Sequence, residues 1–68
     1  MQDNQTKNSS AYDRRLILVV EDEEINRTIL EAILGKDYRV IFAQDGEEAL
    51  RAVRENSKVL SLVLLDLI

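Results

Sequence analysis

Short runs that are apolar at every position alternate along this chain with longer runs whose apolar residues recur every three or four. Leu16 to Val20 (LILVV) is the first uninterrupted run. It is short and rich in β-branched residues, which suits a strand covered on both faces. From about Glu23 to Leu34, Ile25, Ile29, Leu30, Ile33 and Leu34 fall on one stripe at helical spacing, and a helix burying that stripe is predicted. Gly35 stands where a left-handed C-terminal cap would end it. Tyr38 to Ala43 (YRVIFA) reads as a second strand. Asp45-Gly46 makes the next turn, and Asp45 with Glu48 three residues on resembles a capping box, with Asp in the Ser/Thr place. A second helix is predicted from about Glu47 to Asn56, burying Ala49, Leu50 and Val53. After a loop around Ser57, Leu60 to Asp66 (LSLVLLD) reads as a third strand.

The order is β-α-β-α-β with short connections, the pattern of a parallel α/β sheet. Crossovers between parallel strands are right-handed. If strands two and three flank strand one, giving the order 2-1-3, the two helices cover opposite faces. The gap between strands one and three is then a topological switch point, where open α/β sheets bind ligands at the carboxyl ends of their strands. Strand one ends in Glu21-Asp22 and strand three ends in Asp66. Three acids are thereby directed to the one place this topology reserves for a site.

Composition narrows what those acids can do. The 68 residues include no His and no Cys, which removes the usual zinc ligands, a thiol nucleophile, a disulfide framework and the commonest general base. Thirteen acids against nine bases give a net charge of −4, which argues against nucleic-acid binding by this segment. No apolar run approaches the roughly 18 residues of a membrane span, and the N-terminus lacks the apolar core of a secretory signal. No membrane association and a cytoplasmic location are expected. Residues 1–13 are polar without a hydrophobic period and read as a disordered leader, leaving 14–68 as the folded part.

The four consecutive acids Glu21 to Glu24 have an ordinary explanation in part. Carboxylates in the first turn of a helix complement its dipole, which accounts for Glu23 and Glu24, and Glu23 can also pair with Arg27 at i+4. Glu21 and Asp22 instead finish a buried strand, and Asp66 adds a third carboxylate beside them. Two carboxylates about 4 Å apart repel by roughly 4 kcal/mol at an effective dielectric near 20. Three converging ones either keep a proton or hold a cation. Oxygen-only ligation in an open site favours Mg2+, which retains several waters and accepts a phosphate oxygen as a further ligand. An ionised Asp66 beside it has the chemistry of a nucleophile toward phosphorus, forming an aspartyl phosphate. No calcium-loop pattern and no Gly-rich phosphate loop is present.

ILVVEDEEINRTIL, FAQDGEEAL and LVLLDL together resemble the three opening blocks of the bacterial response-regulator receiver domain, over about Arg15 to Ile68. The resemblance implies a flavodoxin-like fold of which the last two strands and three helices are missing. It also implies a phosphoacceptor role in a two-component phosphorelay, a signalling function and not that of an enzyme beyond self-catalysed phosphotransfer. Glu21 and Asp22 stand where the family has its acidic metal-binding pair, and Asp66 stands at the phosphoacceptor. The main-chain carbonyl of Ile68 matches a further metal ligand. Mg2+ is the implied cofactor, and the implied partner is a sensor histidine kinase or histidine phosphotransfer protein, with an output domain beyond residue 68. Glu21 departs from the commoner Asp by one methylene. The hydroxyl residue and the lysine that contact the phosphoryl group in the family have no counterpart here.

Two expectations follow if Ile68 is the chain terminus. Its carboxylate would join three acids and slow phosphorylation, so the fragment would be impaired. The third strand would be an open edge that pairs with another chain. A non-phosphorylating pseudo-receiver, an interaction fragment acting through that edge, is therefore the alternative function. A phosphohydrolase fits less well, because Leu67-Ile68 follow Asp66 where a D-x-D start is needed.

Overall fold

The computed structural model describes residues 14–66, with Asp66 placed by its backbone; the leader expected over 1–13 and the proposed ligand at Ile68 lie outside the described residues. Five elements follow the predicted order: β1 (Leu16–Glu21), α1 (Glu24–Leu34), β2 (Arg39–Ala43), α2 (Gly46–Glu55) and β3 (Leu60–Asp66). The three strands form one parallel sheet in the order β2-β1-β3. This is the α/β arrangement of a truncated flavodoxin-like fold.

β1 is central and buried at all six positions, as a strand flanked by two others and covered on both faces must be. Leu18 and Val20 turn to one face, where they pack with Ala43 and with Ala49, Ala52 and Val53 of α2. Ile17 turns to the other face and, with Leu34, Tyr38, Leu62 and Leu64, lines an open apolar groove beside α1. The core is thus one aliphatic strand held between two helices.

The helix ends show which sequence signals acted. Asp45 caps α2: its Oδ1 accepts from the Glu48 main-chain N–H at 2.9 Å. Glu48 reaches back in turn, but its Oε1 accepts from the Gln44 N–H at 2.8 Å, one residue before the cap. The left-handed cap expected at Gly35 does not form. Gly35 has φ −66° and ψ −12°, and its N–H donates to the Glu31 carbonyl at 2.8 Å as in a continuing helix turn. Glycine matters there for space: a Cβ would stand 2.6 Å from the Glu31 carbonyl oxygen.

Two burial expectations are corrected. Ile25, Ile29 and Ile33 of α1 are exposed, Ile25 at 72%, while Leu30 and Leu34 are half-buried. A sheet of three strands is too narrow to cover the whole stripe, so only its inner edge is covered. Leu50 of α2 is 62% exposed, and Ala52 takes the inward place beside Ala49 and Val53. Positions 49, 52 and 53 share one helical face, and Leu50 lies about 100° round from Ala49.

Candidate functional site

A slip in strand pairing brings the backbones of Glu21 and Asp66 side by side at the carboxyl edge of the sheet. Leu16 stands beside Leu60, but Ile17 stands beside Leu62, so β3 carries one extra residue at Ser61. Pairing then runs without interruption to Glu21 beside Asp66. Had the first pairing continued unbroken, Asp66 would have met Asp22. Such bulges re-aim a strand relative to its neighbour. This one makes the last residue of β1 and the last residue of β3 adjacent partners, on strands about 4.8 Å apart. Asp22 follows directly, outside the strand and exposed.

Glu21 is only 2% exposed, an unusual place for a carboxylate. Local geometry explains how it is held. Its Oε2 accepts from the Glu23 main-chain N–H at 3.0 Å and from Asn26 Nδ2 at 3.3 Å. The first of these satisfies an N–H at the start of α1, where Glu23 itself makes no side-chain cap. Arg27, for which the spacing offered the Glu23 carboxylate, donates from Nη1 to the Glu21 main-chain carbonyl at 3.0 Å. Asn26 and Arg27 are the hydrogen-bonding neighbours of Glu21 that reading the sequence missed. Both sit in the first turn of α1, the turn that closes over the end of β1, and that position was the available signal.

Charge is segregated along the strands. Glu21 to Glu24, Asp45, Glu47 and Glu48 outnumber Arg27 at the carboxyl edge, whereas Arg14, Arg15, Lys36, Arg39 and Lys58 outnumber Asp37 at or just before the strand starts. The acidic edge favours cations over anions unless a cation is already bound. Among the described residues, no group of three or more Asp, Glu, His or Cys side chains is placed to hold a metal ion. Glu21 and Asp22 bring two carboxylates to this edge, and Asp66 reaches it by its backbone. The donors available are all oxygens, which fits a hard ion such as Mg2+.

No protein-family model matches the chain, and no solved structure matches it. Curated proteins do. The chain is 52% identical over 52 residues to the transcriptional regulatory protein ZraR of Klebsiella oxytoca, covering 75% of this chain and 11% of that protein. It is 51% identical over 51 residues to ZraR of Salmonella typhimurium, covering 74% of this chain and 11% of the relative. For ZraR of Escherichia coli strain K12 the figures are 46% over 56 residues, 81% of this chain and 12% of the relative. The chain therefore spans about one ninth of the length of the relatives it matches. No helix among the described residues is long and apolar enough to cross a membrane. With three parallel strands in the order 2-1-3 and about 50% identity to these relatives over three quarters of its length, the chain is similar to the response regulators and fits the opening β-α-β-α-β fragment of a receiver domain.

Proposed function

We propose that this chain is the phosphoacceptor portion of a two-component phosphorelay, with Asp66 as the residue that takes the phosphoryl group. The donor is a phosphohistidine on a sensor histidine kinase or a phosphotransfer protein. A carboxylate oxygen of Asp66 forms the new P–O bond as the P–N bond breaks. The imidazole leaves with the electron pair and takes up a proton. Glu21, Asp22, Asp66 and the Ile68 carbonyl are the groups that would hold Mg2+. The ion, when bound, would offset the repulsion between carboxylate and phosphoryl oxygens. The chain's own part is to hold the first acid in place: the Glu23 N–H and the Asn26 amide fix Glu21, and burial keeps it from swinging into water. Because the relatives are named as transcriptional regulatory proteins, the output is read as control of transcription through segments outside the matched region.

The observation that carries this reading is the pairing of Glu21 with Asp66, with Asp22 next in the chain. Incubation with acetyl phosphate and Mg2+, followed by intact-mass measurement, tests it. A slowly accumulating, hydroxylamine-sensitive phosphoryl adduct is expected, absent without Mg2+ and absent in Asp66→Asn. No adduct, or one unchanged in Asp66→Asn, would overturn it. The second reading is a non-phosphorylating interaction fragment, favoured by the exposure of Leu62 to Leu65 on β3. It predicts no adduct together with association through that strand.

A further inference from the structure

Glu21 is a glutamate at the end of a buried strand, and its longer side chain needs an anchor. We infer that Asn26 is that anchor, a positioning residue that sets where the Glu21 carboxylate stands at the cation site; the inference rests on the phosphoacceptor reading above. Asn26 lies half-buried in the first turn of α1, between two carboxylates. Its Nδ2 donates to Glu21 Oε2 at 3.3 Å and, more weakly, toward Glu23 Oε1 at 3.5 Å. Ionised carboxylates only accept, so it is the amide nitrogen and not the oxygen that faces them. The same Oε2 takes the Glu23 N–H at 3.0 Å. Two donors on one oxygen fix the rotation of the carboxylate, as partners outside the ligand set do at metal sites.

The length of Glu21 makes this contact specific. An aspartate at position 21 could still take the N–H two residues on, as Asp commonly does in turns. Its carboxylate would sit about 1.5 Å further back, one C–C bond. A contact already 3.3 Å long would then be lost. Asn26 therefore matters to Glu21 and would not matter to Asp at the same place.

Mg2+ titration of four chains, followed by backbone amide resonances, tests this: the parent, Asn26→Ala, Glu21→Asp and the double variant. In the parent background, Asn26→Ala should weaken Mg2+ binding about tenfold, the low end for such partners because the bond is long. In the Glu21→Asp background the same change should alter affinity less than about twofold. The Asn26 side-chain NH2 resonances should also shift on Glu21→Asp, a signature that a merely structural role would not give. If Asn26→Ala fails to fold, Asn26→Ser is read in its place. Equal losses in both backgrounds, or none in either, would overturn the positioning role while leaving Mg2+ binding intact. A parent that does not bind Mg2+ would overturn the cation site and this inference together.

Discussion

Gly35 shows how a residue can be right for a reason the sequence does not display. Its position after the last apolar residue suggests a left-handed cap, yet its φ is negative and any residue could adopt its backbone. What excludes a side chain is the Glu31 carbonyl 2.6 Å from the place a Cβ would occupy. Gly→Ala normally stabilises by about 0.4–1 kcal/mol through the unfolded chain. Overpacking against backbone costs about 1–3 kcal/mol, so the clash should win. Gly35→Ala is predicted to lower the unfolding free energy by about 1–2 kcal/mol in urea titration; an unchanged or higher midpoint would contradict the close approach. At this scale the places of Glu21, Asp22 and Asp66 at or just after strand ends were legible, because acids there stand out against an apolar run. Asn26 and Arg27 were not: their role depends on how α1 folds back over β1, and nothing in their spacing announces it.

Elements were easier to read than their faces. Both helices and all three strands lie where periodicity put them, within a residue or so at each end, and Asp45 caps α2 as its spacing with Glu48 suggested. Burial was harder, because a stripe of five apolar residues says that a helix has an inward side but not how wide its cover is. Ile29 is 50% exposed while Leu18 is fully buried. Leu18→Ala should therefore cost about 3–5 kcal/mol, since it leaves a cavity between β1 and α2. Ile29→Ser should change stability by less than about 1 kcal/mol. Paired denaturant titrations check this; comparable losses would mean that α1 buries its whole stripe in solution. The bulge at Ser61 is likewise invisible to an alternation pattern, yet it decides which acid of β1 meets Asp66.

Across the whole molecule, exposed apolar surface is concentrated on two neighbouring features. β3 exposes Leu62, Val63, Leu64 and Leu65, and α1 exposes Ile25, Ile29 and Ile33. Exposed apolar strands at a sheet edge template pairing with other chains. The 68-residue chain is predicted to self-associate through this strand, and Leu64→Lys to shift it toward monomer, as measured by sedimentation velocity. A parent that stays monomeric with one sharp unfolding transition would contradict this. The acidic edge lies at the other decisive place, where β1 and β3 end side by side. Mn2+ used as a paramagnetic stand-in for Mg2+ tests it most directly, by mapping which amide resonances broaden. The account predicts selective broadening around Glu21, Asp22 and Asp66 that Asp22→Asn removes. Broadening centred instead on Glu47 and Glu48, or unaffected by Asp22→Asn, would contradict it.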